Sequence, residues 1–184
     1  VTYAIENLAQ NGGHIVAAKN IYGGTYNLLA HTLVDFGVTT TFVDPLDITN
    51  FEKAIQDNTK ALYIETLGNP NSEVTDIEAI AKIANAHGIP LVVDSTFATP
   101  YLVRPIEYGA DVVIHSSSKY INGSGNSISG IIVDGGKFKW DKDRYPAMKE
   151  YSKYGKFAYT ARLRNDVWRN MGGCLAPMNA YLNI

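Results

Sequence analysis

The segment Leu91-Val92-Val93-Asp94 constrains the fold more than any other part of the chain. Its apolar residues show no alternation with polar ones, and Gly88 and Pro90 just before it end a helical pattern. A strand that is apolar on both faces has to be covered on both sides, which is typical of parallel sheets packed between helices. The segment therefore predicts an α/β fold with a mostly parallel sheet flanked by helices.

The rest of the chain alternates short apolar runs with amphipathic stretches, the pattern expected of strands separated by helices. Residues 111–115 and 130–133 have the same unbroken apolar character and predict strands of the same buried kind. Residues 142–164 are polar and rich in tyrosine, which predicts loop and helix at the surface. The other predicted strands are residues 14–18, 39–43 and 61–66, and the predicted helices are residues 1–10, 25–36, 51–55 and 75–87 and a long one from residue 162 onward.

Composition and charge argue against several classes of function. The formal net charge is −2 and there is no basic stripe, so nucleic acid is not expected as a partner. No apolar run approaches the ~20 residues that span a bilayer, so a membrane is not expected either. Cys174 is the only cysteine, which excludes an internal disulfide and is typical of a reducing, cytoplasmic environment. No Cys/His spacing typical of a metal site surrounds it.

Asp94 directly follows the apolar residues Leu91-Val92-Val93, and a charged carboxylate in this position needs an explanation. One interpretation is a turn-forming or helix-capping residue, a role that Ser95 and Thr96 also suit. The other is an anion that faces a cationic ligand atom, such as the protonated nitrogen of a pyridine ring. Ligands of open α/β sheets bind beyond the carboxyl ends of the strands, where Asp94 stands. Asp94 alone leaves both interpretations open.

Lys119 follows the predicted strand 111–115 behind three consecutive serines, and a glycine-rich segment, residues 122–126, comes after it. Serine hydroxyls and exposed backbone N–H groups suit a phosphate group. A lysine that is partly buried beside them favours its neutral amine, the form that attacks an aldehyde. The alternative is a serine-rich turn with a solvated lysine, and this segment alone does not separate the two.

Taken together, the two segments point to one ligand. An acid for a ring nitrogen, an amine for an aldehyde carbon and hydroxyls for a phosphate match three distant points of pyridoxal 5'-phosphate (PLP). Tyr22 follows the strand 14–18, and its ring could stack on a flat cofactor. Taken alone, a tyrosine in this position is more often an aromatic residue of the core or of a turn. A nucleotide-binding module is a weaker hypothesis, because neither a Gly-x-Gly-x-x-Gly pattern nor a P-loop follows a strand.

At this point the chain resembles the Cys/Met metabolism PLP-dependent enzymes, the γ-family on the fold type I scaffold. Four segments carry the resemblance in the family's order and spacing, over nearly the whole chain: residues 22–26, 65–70, 93–101 and 115–120. The resemblance implies the large, PLP-binding domain of such a transferase. Within the family the chain is most similar to the O-acetylhomoserine sulfhydrylases, on Gly68-Asn69-Pro70, residues 127–138 and Trp140.

The resemblance also implies roles for individual residues. Lys119 would carry the cofactor covalently and move protons between substrate carbons, and Tyr22 would stack on the ring and assist proton transfer. Glu65 belongs to a family motif, and no role beyond orienting its neighbours is assigned to it. The other implied cofactor contacts are Asp94 at the ring nitrogen, Ser116 and Ser118 at the phosphate, Thr96 at the ring, and Asn69 near the phenolic oxygen and the substrate carboxylate.

The implied reaction is a γ-replacement, in which sulfide or a small thiol displaces acetate from O-acetylhomoserine and homocysteine or methionine is formed. Methionine γ-lyase, cystathionine γ-synthase and cystathionine lyase activities remain alternatives, because their first steps are shared. The family also implies a homotetramer built from close dimers.

The chain begins at Val1 within a predicted helix and ends in an apolar run at Ile184. We therefore expect residues 1–184 to be a central PLP-binding domain that is incomplete at both ends, without the arm and the C-terminal domain of longer family members. On that expectation the chain alone is a weak or inactive enzyme, and a truncated, non-catalytic product is a further alternative.

Overall fold

The computed structural model describes residues 1–184, and its six strands are β1 (His14–Ala18), β2 (Thr39–Val43), β3 (Thr59–Glu65), β4 (Leu91–Asp94), β5 (Val112–His115) and β6 (Ile131–Asp134). They form one sheet in the order β2-β1-β3-β4-β5-β6. Strands β1 to β5 run parallel to their neighbours, and β6 pairs antiparallel with β5. The predicted α/β fold with a mostly parallel sheet is confirmed.

Helices separate most of the strands. They are α1 (Thr2–Ala9), α2 (Gly23–Ala30), α3 (Thr49–Ala54), α4 (Ile77–Ala86), α5 (Thr99–Leu102), α6 (Ala158–Arg162), α7 (Arg169–Met171) and α8 (Pro177–Leu182). A π-helical segment, Leu163–Trp168, joins α6 to α7, and 3-10 helices occupy Thr32–Phe36, Pro105–Tyr108 and Pro146–Phe157. Every residue of β1 and β5 is buried, which shows that both faces of the sheet are covered there. None of the helices has the length and apolar character that crossing a bilayer requires.

Helix α4 and the turn after it show how local sequence positions β4, whose carboxyl end carries Asp94. The Asp76 side chain caps it by accepting the N–H of Ala79 over 2.9 Å. Gly88 ends the helical segment with a positive φ of 62°, which lets the chain turn directly into β4. Pairing of β4 with β3 then sets Asp94 opposite Glu65 at the carboxyl ends of the two strands. The buried face of α4 consists of Ile77, Ile80, Ala81 and Ala84.

The strand predicted at residues 130–133 is present as β6, but it is not the buried, parallel-type strand that we expected. It is an antiparallel edge strand, and its Ile131 and Val133 are exposed. Only residues 116–130 separate it from β5, and they form no helix. A parallel strand needs a crossover, which is usually helical, so a direct return is antiparallel. An apolar run alone does not distinguish the centre of a sheet from its edge.

Two predicted helices are shorter than expected. The helix predicted at residues 25–36 begins at Gly23 and ends at Ala30, and a 3-10 turn completes the stretch. The long helix predicted from residue 162 ends at Met171, because Gly172 takes a left-handed φ of 89°. Leu175 therefore lies beyond the helix and is 38% exposed.

The tyrosine-rich region, residues 142–164, is not confined to the surface, which corrects the prediction. Tyr145 and Tyr159 are 2% and 0% exposed. The ring of Trp140 stacks on Tyr159 at a centroid distance of 5.3 Å, and Tyr145 donates from its hydroxyl to the Lys60 carbonyl oxygen over 2.9 Å. Tyrosine is counted as polar in a sequence, yet its ring packs in a core when its hydroxyl finds an acceptor.

His14 makes stability depend on pH. Its ring nitrogens lie 2.8 Å from the Thr59 hydroxyl and 2.9 Å from the Thr41 hydroxyl, and burial lowers its pKa below the usual 6.5. The unfolded chain therefore binds the proton more readily, so the free energy of unfolding should fall as the pH drops below about 6.5. We expect His14→Gln to flatten this dependence in urea unfolding between pH 7.5 and 5. The same slope as in the unchanged chain would contradict the prediction, and His31→Gln, at an exposed histidine, is the control.

Candidate active site

The carboxyl ends of β3, β4 and β5 open into one cavity of about 920 Å³. Six of the seven predicted site residues line it: Tyr22, Asn69, Asp94, Thr96, Ser116 and Lys119. Ser118 does not line the cavity, but its hydroxyl lies 3.0 Å from that of Ser116. The structure thus brings together residues that are up to 97 positions apart in the chain, because parallel strands place all their carboxyl ends at one edge of the sheet.

Asp94 and Thr96 tie the ends of β4 and β5 together. One oxygen of Asp94, Oδ1, accepts the N–H of Thr96 over 2.9 Å and its hydroxyl over 2.5 Å. The same hydroxyl accepts the N–H of Ser116 over 2.8 Å. The other oxygen of Asp94, Oδ2, accepts a single long hydrogen bond, from the hydroxyl of Tyr63 over 3.5 Å. Asp94 is therefore held rigidly through one oxygen and can offer the other to a ligand.

Lys119 is held by Ser116 and Ser118, whose hydroxyls lie next to each other. Its Nζ donates to Ser116 Oγ over 3.1 Å and to Ser118 Oγ over 3.4 Å. The middle serine, Ser117, is buried and turned away, and it donates to Ser129 Oγ over 2.6 Å. We expected Lys119 to be partly buried, and this is wrong. The residue is exposed in the turn that leaves β5.

Tyr22 is the N-cap residue of α2 and lines the cavity, and 55% of it is exposed. Its N–H donates to Glu65 Oε1 over 2.9 Å, which anchors the start of the helix to the end of β3. Glu65 is 6% exposed, and burial, together with the charge of Asp94, raises its pKa to about 7 in spite of the Tyr22 hydrogen bond. Glu65 thus holds the backbone of Tyr22, a partner that the sequence did not identify.

The structure adds two residues that the sequence analysis did not single out. Tyr63 is fully buried, and its hydroxyl approaches Asp94. It stands two residues before Glu65 on β3, so strand alternation places it on the same face and could have indicated it. His115 ends β5 and lines the cavity, and its Nδ1 lies 3.0 Å from the Ser95 carbonyl oxygen. Burial lowers the pKa of His115, which favours the neutral ring.

The groups around the cavity suit one chemical class of ligand. A carboxylate with a free oxygen binds a protonated ring nitrogen, and an amine reacts with an aldehyde. Hydroxyls and the backbone of a turn bind a phosphate, and an exposed aromatic ring packs on a flat heterocycle. All four kinds of group are present around this one cavity.

Comparisons with known proteins also indicate a PLP-dependent enzyme family. The family described as Cys/Met metabolism PLP-dependent enzyme matches residues 1–184. The O-acetyl-L-homoserine sulfhydrylase of Leptospira meyeri is 41% identical over 97% of this chain and 44% of its own length. The L-methionine gamma-lyase of Treponema denticola is 42% identical over 99% of this chain and 41% of its own length. The chain therefore spans less than half the length of these curated relatives.

A solved structure from Campylobacter jejuni superposes on this one with a TM-score of 0.92 at 36% identity. The match covers 99% of this chain and 48% of that one, and that structure contains N'-pyridoxyl-lysine-5'-monophosphate. The fold described above is thus that of the PLP-dependent fold type I enzymes.

Proposed function

Because the chain belongs to the Cys/Met metabolism PLP-dependent enzymes, we propose that it carries the cofactor site of a γ-replacement enzyme. In that reaction sulfide or a small thiol displaces acetate from O-acetylhomoserine, and homocysteine or methionine is formed. The observation that carries the proposal is the convergence of Asp94, Lys119 and Ser116 on one cavity. The choice of substrate is supported by the relative from Leptospira meyeri, which is named for it.

The residues present fit PLP. When bound, it supplies an electron sink for the charge left at the substrate α-carbon. The free oxygen of Asp94 would hold the ring nitrogen, since only the long contact to Tyr63 competes for it. Lys119 would take the aldehyde carbon, and the paired hydroxyls of Ser116 and Ser118 would bind the phosphate.

Three further cavity residues complete the proposed site. Tyr22 would pack its ring on the cofactor, because its backbone is anchored by Glu65 while its side chain stays exposed. Thr96 would support the ring from β4 and keep Asp94 in place through its own hydroxyl. Asn69 would meet the phenolic oxygen and the substrate carboxylate with its side-chain amide.

We assign the proton transfers to Lys119, the only lysine that lines the cavity. As a neutral amine it would accept the α-proton of the substrate, and as an ammonium group it would return a proton. The hydroxyls of Ser116 and Ser118 accept hydrogen bonds from its amine and keep it at the cavity wall. Tyr22, which lines the same cavity, would assist these transfers.

Product analysis tests the reaction. With PLP, O-acetylhomoserine and hydrosulfide, we expect homocysteine and acetate in equal amounts. Without hydrosulfide, acetate should be released much more slowly. Acetate, ammonia and 2-oxobutanoate at an equal rate without hydrosulfide would overturn replacement in favour of elimination, the chemistry that the relative from Treponema denticola is named for. Cystathionine formed from added cysteine would indicate cystathionine γ-synthase, and breakdown of added cystathionine a cystathionine lyase.

Residues 1–184 are proposed as the central PLP-binding domain of a cytoplasmic homo-oligomer, a tetramer as in the family it resembles. The second candidate is a non-catalytic chain that keeps the cavity without turnover. It is favoured by the absence of any product together with retained PLP binding, and light scattering measures the oligomeric state. The proposed ligands are an amino acid, O-acetylhomoserine, and sulfide or a small thiol, rather than nucleic acid or a membrane.

A glycine pair at the start of α2 gives a matched test of Tyr22. A Cβ at Gly24 would lie 2.5 Å from Cε1 of the Tyr22 ring, whereas one at Gly23 would meet open space. We expect Gly24→Ala to displace the ring and weaken PLP binding roughly threefold to tenfold. The free energy of unfolding should not fall, since alanine is favoured over glycine in a helix by about 1 kcal/mol. PLP titration and urea unfolding measure both effects. Equal PLP affinities of Gly24→Ala and Gly23→Ala would contradict the stacking role.

A further inference from the structure

Asn20 is a buried polar residue that the proposed reaction leaves without a role. It lies in the turn between β1 and α2, close to Tyr22, and is only 7% exposed. Its Nδ2 donates to Oε2 of Glu73 over 2.7 Å, while its Oδ1 is buried without a hydrogen-bond partner. The Glu73 carboxylate is therefore the one group that orients this buried amide by a side-chain hydrogen bond.

The backbone of Asn20 is joined to the loop that carries Asn69. The N–H of Asn69 donates to the Asn20 carbonyl oxygen over 3.0 Å. The same loop is closed on itself, because the N–H of Gly68 donates to the Glu73 carbonyl oxygen over 2.9 Å. Glu73 thus closes the loop with its backbone and holds Asn20 with its side chain, and Asn20 in turn holds Asn69.

Gly68 provides an independent sign that the loop is built against Asn20. A Cβ at position 68 would lie 2.5 Å from Asn20 Nδ2 and 3.0 Å from the Asn20 carbonyl oxygen. Any other residue there would push the amide away from Glu73 or the loop away from β1. The glycine of the Gly68-Asn69-Pro70 segment therefore serves this close approach.

We propose that Asn20 and Glu73 are positioning residues that hold Asn69 at the rim of the cavity. Neither residue lines the cavity itself. Both instead line a neighbouring groove of about 730 Å³. Tyr22 and Asn69 line the groove and the cavity alike, so they separate the two. The pair acts through Asn69 without touching cofactor or substrate. The inference rests on the proposed function for the role of Asn69 toward PLP.

Four variants separate the hydrogen bond from general damage. Glu73→Ala removes the acceptor, whereas Glu73→Gln keeps a carbonyl oxygen that accepts from Asn20. Asn20→Asp sets two carboxylates against each other, and combining it with Glu73→Gln restores a donor–acceptor pair with reversed direction. Glu78→Ala is the control, because Glu78 is an exposed carboxylate on α4 that pairs only with Lys82.

The first measurement is amide hydrogen exchange of the cofactor-free chain. Exchange at the N–H of Asn69 should rise about tenfold or more in Glu73→Ala and in Asn20→Asp. It should stay close to that of the unchanged chain in Glu73→Gln, in the double variant and in Glu78→Ala. The second measurement is the PLP dissociation constant, which should increase in the same two variants and recover in the double variant.

Exchange at Asn69 that is the same in Glu73→Ala and in the unchanged chain would overturn the inference. Faster exchange with an unaltered PLP dissociation constant would overturn the positioning of Asn69 toward the cofactor. Failure of the unchanged chain to bind PLP would count against the proposed function instead, and hydrogen exchange would still decide whether the Asn20–Glu73 pair orders the loop.

Discussion

Mixing the chain with PLP is expected to produce a visible absorption band, and replacing Lys119 by alanine is expected to abolish it. Lys119 is the only lysine that lines the cavity, so no other lysine is placed to take the aldehyde carbon. Any turnover should fall about 10²- to 10⁴-fold, the range expected when a group that transfers protons is removed. The free energy of unfolding should change little, because the side chain is exposed and its partners are two serine hydroxyls.

Lys53→Ala is a matched control for this variant. Lys53 is also exposed, and its Nζ also donates to a hydroxyl, that of Thr49, over 2.9 Å. It lies on α3, away from the cavity. The control should keep the absorption band. An absorption band of the same height in Lys119→Ala would contradict the assignment of Lys119 as the cofactor-binding residue.

Replacing Asp94 by asparagine is expected to weaken PLP binding and to lower turnover about 10²- to 10³-fold, the range seen when one preorganised electrostatic partner is lost. The amide can still accept the two hydrogen bonds that Thr96 makes to Oδ1, so the turn should be preserved. What disappears is the negative charge that keeps a ring nitrogen protonated. Titration with PLP and the position of the absorption band measure the effect.

Asp47→Asn is the control for Asp94→Asn, because the two aspartates share one local geometry. Asp47 Oδ1 accepts the N–H of Thr49 over 3.0 Å and its hydroxyl over 2.7 Å, but it does so on the exposed surface. PLP affinity should be unaltered in the control. If both variants bind PLP as tightly as the unchanged chain, the turn-forming interpretation of Asp94 is correct and the ring-nitrogen role is wrong.

The pKa of Glu65 gives a second test of the charge on Asp94. Its pKa is raised to about 7 mainly by burial and, to a smaller degree, by the charge of Asp94. Asp94→Asn removes that charge, so the pKa of Glu65 should fall and its carboxyl should be ionised over more of the neutral range. A shift of the Glu65 carboxyl resonance in a pH titration of the cofactor-free variant checks this without any turnover.

The parts of the site that the sequence predicted are those that depend on neighbours in the chain. Asp94 and Lys119 each follow an apolar strand, and the edge at which such strands end follows from the α/β fold class. Partners that are distant in sequence escaped prediction. The bond from Asn20 to Glu73 spans 53 residues, and the bond from Tyr22 to Glu65 spans 43. Which pairs meet depends on which strands are neighbours in the sheet.

The sequence by itself determined the α/β class, the position of β4 and β5, and the order of the motifs around the cavity, because strand burial and turn chemistry are local properties. Only the tertiary structure decided that β6 runs antiparallel at an edge and that Tyr145 and Tyr159 are buried. It also decided that Lys119 is exposed. Direction and burial depend on what packs against a segment, and the free energy of those contacts comes from residues far along the chain.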